Sequence, residues 1–323
     1  MTTSAMPPFV EVLPGGGLSL WLASLMGQYQ LRKVVKDGLP QPLRPPFLFL
    51  LDRRLNSGDQ QVVRKIERVR SELAKRKNEL IGVFSETRSI PTEAGQVLQA
   101  DSPQAQMKLR SLTHVAYVSS VLPQWGVFLH LCANATRAKT ILELGSSAGI
   151  SGCYLASGKD CQRFITIEGC PELARLAETH LRQTTNNFEV LNASFTEGLD
   201  RILPTLKGGI DMAYIDGSKN KLSNLNYFDR VTPYLNPGSV VVIDDIHWSL
   251  EMWEAWKAIR ERKGLSFAIN AGRFGVCVWS GGETRPRTYD LYKVIGVDLY
   301  RIKQCIENIR GRLRIRRGFI GVV

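Results

Sequence analysis

Seven short apolar runs constrain this 323-residue chain more than any other feature. They are TILEL (140–144), FITIE (164–168), FEVL (188–191), DMAYID (211–216), SVVVID (239–244), SFAIN (266–270) and FGVCVW (274–279). Runs this short, rich in β-branched residues, read as buried strands. Helical stretches separate the first five, which is the order of a parallel sheet covered by helices on both faces. Only Ala271 to Arg273 join the last two, so these should form a hairpin. The expected fold is α/β: a doubly wound, mostly parallel seven-stranded sheet with an antiparallel C-terminal hairpin, preceded by a helical region.

The ladder divides the chain into three regions. Residues 1–105 form an N-terminal helical or cap region, 106–283 the sheet domain, and 284–323 a basic extension. In the first region Val62, Ile66, Val69 and Leu73 recur at helical spacing, and Asp59 is suited to cap that helix. Arg64, Lys65, Arg68 and Arg70 are interspersed with Glu67, Glu72 and Glu79, the pattern of a solvated face rather than of a DNA-binding helix.

Hydrophobic residues are 44% and charged residues 22%, which excludes a disordered or fibrous chain. The longest apolar run, Phe47 to Leu51, falls far short of the roughly 20 residues of a membrane span. The N-terminus shows no basic region followed by an apolar one, so no signal peptide is expected. Six scattered cysteines without a CxxC pair fit reduced thiols in a cytoplasmic protein. The net charge is +12, with five arginines between Asn308 and Val323. A basic balance favours an anionic partner without choosing among them. In the tail, Arg312, Arg314 and Arg316 alternate with Leu313 and Ile315. That period of two predicts a strand ordered against the protein body or a second subunit in a homo-oligomer. Peripheral contact with an anionic membrane is the lesser alternative.

The chemistry-bearing residues sit at strand ends. The first strand runs into Gly145-Ser146-Ser147-Ala148-Gly149, a turn that lets a ligand approach the backbone. The second ends in Glu168, where a carboxylate accepts both ribose hydroxyls of a nucleoside. With Glu143, Gly145 and Gly149 this indicates a nucleoside ligand without a diphosphate cradle. Asp216 ends the fourth strand and Asp244-Asp245 the fifth, so the three carboxylates should converge. Clustered carboxylates repel one another unless a cation or a bound ammonium neutralises them, and hard oxygen ligands suit Mg²⁺ or Ca²⁺.

From Gly126 to about Trp279, nearly half the chain, these motifs resemble class I S-adenosylmethionine-dependent methyltransferases. The resemblance is closest to the catechol and caffeoyl-CoA O-methyltransferases. GVFLHLCANATRAKTILELGSSAGIS is similar to that group's helix, first strand and glycine loop, ITIEGCPELARLAETHL to its second strand, and EVLNASFTEGL to its third. IDGSKNKLSNLNYFDRVTPYLNPGSVVVIDDIHW is similar to its fourth strand, helix and fifth strand. The tandem Asp244-Asp245 departs from that group's Asp-Asn and resembles metal-dependent sugar O-methyltransferases. The resemblance implies a Rossmann-like fold, S-adenosylmethionine as cofactor, Mg²⁺ or a similar divalent ion, and a small hydroxylated molecule as acceptor.

The resemblance also implies residue roles. Glu143, Gly145 and Ser151 line the methionine half of the cofactor, with Ser146 and Gly149 in the same loop. Glu168 holds the ribose, and Ala193, Ser194 and Phe195 frame the adenine. Asp216 takes the cofactor amino group and, with Asp244 and Asp245, the metal. Lys219 stands where the catechol group has its general base, a role that needs a depressed pKa; His247 is the rival base. Two other functions compete. A nucleic-acid methyltransferase would suit the charge, but Asp216-Gly217-Ser218-Lys219 stands where the amino-methylating enzymes have an Asn/Asp-Pro-Pro-aromatic motif. A non-catalytic binding protein on the same fold is opposed by the intact cofactor motifs. Acceptor choice is expected to rest with residues 1–105 and 284–323.

Overall fold

The computed structural model describes residues 29, 32–36, 38–84, 107–206 and 208–291. The predicted strand at 312–316, with the whole arginine-rich tail, lies outside the described residues, as do most of the first 37 residues. The chain order begins with α1 (Arg44–Asp52), α2 (Ser57–Lys75), β1 (Leu80–Phe84), β2 (Met107–Ser111) and α3 (Leu112–Tyr117). It continues with α4 (Pro123–Ala135), β3 (Thr140–Leu144), α5 (Ile150–Ala156), β4 (Arg163–Glu168), α6 (Pro171–Arg182) and β5 (Phe188–Asn192). Then come α7 (Phe195–Ile202), β6 (Ile210–Ile215), α8 (Lys221–Val231), β7 (Leu235–Ile243) and α9 (Leu250–Ile259). The last elements are β8 (Leu265–Asn270), β9 (Gly275–Trp279) and β10 (Arg287–Asp290).

All seven expected strands are present, in one sheet of order β10-β8-β9-β7-β6-β3-β4-β5. β3 to β7 are mutually parallel where they pair, and β9 runs antiparallel to both β7 and β8. Alternation along the strands divides the core. Ile141, Met212, Tyr214, Val240 and Val242 face a layer built by α1, α2, α4 and α5. Leu142, Ala213, Val241 and Ile243 face α7, α8 and α9. The strand order reverses between β3 and β6, the topological switch point where open sheets of this kind bind ligands beyond their carboxyl ends.

Two features depart from the expected organisation. The sheet gains an eighth strand, β10, which pairs in parallel with β8 and comes from the segment expected to be an extension. β1 and β2 form a separate antiparallel pair that joins residues on either side of the expected boundary near 105. Neither was legible because β2 (MKLRS) and β10 (RTYD) are largely exposed and carry no apolar run. The cap is fastened by a small core of Leu73, Ile81, Leu112, Val115 and Ala116 against Ala148, Cys170 and Leu173.

α2 forms on the predicted face, with Ile66, Val69 and Leu73 buried. Its cap is Asn56 rather than Asp59: the Asn56 side chain accepts from Asp59 N. Asp59 instead turns inward, its Oδ1 3.1 Å from His130 Nε2. Arg70, expected on a solvated face, is 1% exposed. It donates to Ala116 O at 2.7 Å and Val121 O at 2.6 Å, and so ties α2 to α3 and to the loop after it. No helix among the described residues is long and apolar enough to cross a membrane.

Candidate active site

A cavity of about 550 Å³ opens at the carboxyl edge of β3, β4, β6 and β7, roofed by β2 and α3. Its floor is the turn after β3. Gly145 adopts φ +94, and a Cβ there would lie 2.2 Å from Asp216 O, so only glycine lets the turn lie against the end of β6. Ser147, also left-handed at φ 47, directs its N–H to Glu168 Oε2 at 2.8 Å. Cys170 N donates to the other oxygen, Oε1, at 2.9 Å. Both carboxylate oxygens of Glu168 are thus held by backbone donors, and the residue lines the cavity wall. Burial pushes the Glu168 carboxyl up to about 7, against the N–H groups of Cys170, Ser147 and Gly169. Ser194, Phe195 and Gly217 continue the same wall.

Several residues expected at the cofactor lie beneath the cavity instead. Glu143 has no exposed surface: its Oε2 accepts from Thr166 Oγ1 at 2.6 Å, and its Oε1 has no hydrogen-bond partner. Burial raises its carboxyl to about 7, opposed by the Ser151 and Thr166 hydroxyls and aided by Glu168. Ser146 is bonded to Thr166 behind the turn. Ser151, Gly149 and Ala193 do not line the cavity; Ser151 bonds Glu143 and Gly149 caps α5. Glu143 and Ser151 therefore shape the turn from below.

The three aspartates converge as predicted, their nearest oxygens within 4.8 Å of one another. Two buried cations already sit among them. Lys219 Nζ lies 2.6 Å from Asp216 Oδ1 and 3.0 Å from Asp245 Oδ2. Arg273 forms a fork on Asp244, Nε to Oδ1 at 2.6 Å and Nη2 to Oδ2 at 2.7 Å, and lies 3.6 Å from Asp245 Oδ1. Asp245 takes φ 53, in the left-handed region. Tyr214 donates its hydroxyl to Asp244 Oδ2 at 2.6 Å, and Asp245 N donates to Oδ1 at 2.6 Å. Burial and the neighbouring Asp216 and Asp244 keep the Tyr214 hydroxyl protonated, so it remains a donor.

This arrangement corrects both proposed bases. Burial alone would lower the Lys219 pKa, but Asp216, Asp245 and Asp244 outweigh it and raise it well above the usual lysine range. Lys219 is held between Asp216 and Asp245 as their countercharge, an arrangement that favours its ammonium form. His247 does not line the cavity. Its Nε2 meets Asn270 Oδ1 at 3.2 Å and its ring stacks on Trp253 at 4.7 Å, so it braces the start of α9. Asp216, by contrast, lines the cavity with its pKa raised well above the carboxylate range by burial, against Lys219.

The metal expectation meets the same geometry. A carboxylate offers about four lone-pair sites, and Asp244 fills them with Arg273 Nε, Arg273 Nη2, Tyr214 Oη and Asp245 N. The residues present do not fit a divalent ion held by Asp244. Arg273 was missed because it lies in a hairpin loop far along the chain. The predicted hairpin was the available signal: β7 and β9 are paired Ile243 to Gly275, which sets the loop beside Asp244. Lys108, Arg110 and His114, which roof the cavity, were also missed, since nothing in β2 or α3 marks them as site residues.

Comparison with known proteins bears on the class of domain. Residues 142–246 match the family described as a methyltransferase domain, which bears out the resemblance read from the motifs. A catechol O-methyltransferase of Mycobacterium tuberculosis is 34% identical over 131 residues, covering 39% of this chain and 57% of that protein. One from Niastella koreensis is 31% identical over 130 residues, covering 39% and 58%. The chain thus spans just over half the length of these relatives. A solved O-methyltransferase of Bacillus cereus, in complex with SAH, is 22% identical, covers 50% of this chain and 84% of its own, and superposes with a TM-score of 0.45. The matched segment is therefore similar to methyltransferase domains, and in particular to O-methyltransferases.

Proposed function

We propose that the protein is an S-adenosylmethionine-dependent O-methyltransferase acting on a hydroxyl of a small molecule. The observation that carries this is one cavity in which Glu168, the Gly145–Ser147 turn and the Asp216–Lys219–Asp245 cluster meet at the switch point of the sheet. The bound cofactor would supply a methyl group on a sulfonium; its transfer to a hydroxyl gives a methyl ether, S-adenosylhomocysteine and one proton. Glu168, which lines the cavity, would hold the ribose. Phe195 and Ser194 would flank the adenine, and Gly145 would let the methionine half reach the backbone. Asp216 would accept from the cofactor's amino group.

On the acceptor side, Asp216 and Asp245 would orient the hydroxyl and take its proton, while Lys219 holds both carboxylates in place. β2 and α3 would roof the acceptor and so contribute to its selection, although both fall within the expected domain 106–283 rather than in the flanking regions expected to choose the acceptor. Divalent assistance, expected from the sequence, finds Asp244 already saturated. The test is turnover: purified protein incubated with S-adenosylmethionine and a panel of catechols, other phenols and sugars. Formation of S-adenosylhomocysteine dependent on one acceptor class supports the reading. Binding of cofactor without transfer to any hydroxyl would favour the non-catalytic alternative.

A further inference from the structure

We propose that Arg273 stands in for the divalent cation, so that the aspartate cluster of this protein is closed to metal. This rests on the methyltransferase reading only for its consequence in catalysis; the exclusion of the ion follows from the cluster itself. Three carboxylates within 4.8 Å demand positive charge. Lys219 and Arg273 already place two positive charges among them, so an added divalent ion would bring more positive charge than three carboxylates can balance.

Donor counting agrees with charge counting. The guanidinium is planar and always charged, and its fork matches a carboxylate in two bonds at once. Bonds of this kind at 2.6 and 2.7 Å, from a side chain 13% exposed to a carboxylate with no exposure, persist in a buried setting. Burial alone would lower the Arg273 pKa, but Asp244 and Asp245 raise it further, so its charge is permanent. A metal would have to break that fork and then compete with Tyr214 for the same oxygen.

The hairpin is built to hold this position. Gly272 takes φ 86, and its N–H is fixed by Asn270 Oδ1 at 3.0 Å. Ile246 N donates to Arg273 O at 3.1 Å, which fastens the loop to the chain just past the aspartates. Arg273 itself lines the cavity, and its third nitrogen, Nη1, takes no part in the fork. A fixed cation at the acceptor wall would stabilise a developing alkoxide or phenolate electrostatically, the service a metal performs elsewhere. Methyl transfer here would then be insensitive to chelators.

The test reads metal binding rather than turnover. Mn²⁺ is titrated into the full-length wild type, Arg273→Met and Arg273→Lys, with free Mn²⁺ followed by electron paramagnetic resonance. The wild type and Arg273→Lys should bind no ion at about 1 mM Mn²⁺. Arg273→Met should bind one ion per chain at least about a hundredfold more tightly, and adding Asp244→Asn to it should abolish that site. Stoichiometric binding by the wild type that Asp244→Asn removes would overturn the inference. So would a folded Arg273→Met with no gain, because Arg273 would then not be what excludes the ion. If Arg273→Met does not fold, the wild-type titration alone decides. S-adenosylhomocysteine calorimetry on the same preparations separates the two claims. Failure to bind it counts against the functional reading, whereas binding it together with Mn²⁺ in the wild type counts only against this inference.

Discussion

Glu143 shows how one side chain can serve a site without touching its ligand. It lies under the glycine turn with one oxygen unpartnered and its carboxyl raised to about 7 by burial. In the unfolded chain the same group titrates near 4.5. The folded state therefore binds more protons across that window, and the free energy of unfolding falls as pH rises through it. Glu168 acts in the same direction. Glu143→Gln should flatten the decline between about pH 5 and pH 7.5 and leave the variant more stable than wild type at the upper end by about 2 kcal/mol. Urea unfolding across that range checks it, and an unchanged slope would contradict the account. The motif marked Glu143 by its place at a strand end, but strand position alone does not say whether a side chain meets the cavity or the turn below it. Arg273 was illegible for a related reason: its meaning comes from Asp244, 29 positions away, and exists only once β7 and β9 have paired.

At the scale of elements, a buried charge clamps the cap beside its small apolar core. Arg70 spans from α2 to two carbonyls around the α3–α4 connection and also pairs with Glu67, which accepts from Tyr154 Oη at 2.8 Å. Arg70→Met keeps the volume but orphans Ala116 O and Val121 O. At roughly 1–3 kcal/mol for each buried unsatisfied group, the loss should be about 3 kcal/mol. Because α3 carries His114 to the cavity roof, acceptor KM should rise more than kcat falls. Denaturation and steady-state kinetics measure the two effects; a variant as stable as wild type would refute the clamp. The sequence held a signal here, since Arg70 stands four residues after Ile66 and so on the apolar stripe. Its alternation with acids suggested a solvated face instead. The sheet was legible because parallel strands buried on both faces are continuous apolar runs. β2 and β10 were not, because exposed strands take their pairing from their neighbours.

For the molecule as a whole, the sheet brings a nucleoside-type carboxylate, a glycine turn and an acidic cluster with its own two cations to one edge. The central claim is that this edge binds S-adenosylmethionine with Glu168 on the ribose. Calorimetric titration of S-adenosylhomocysteine into wild type and Glu168→Ala tests it most directly. Hydrogen bonds to a charged group contribute roughly 1.5–3 kcal/mol, so affinity should fall about ten- to a hundredfold in the variant. One site per chain in the wild type, weakened to that degree, is the predicted result. No binding by the wild type, or equal affinity in both proteins, would contradict it.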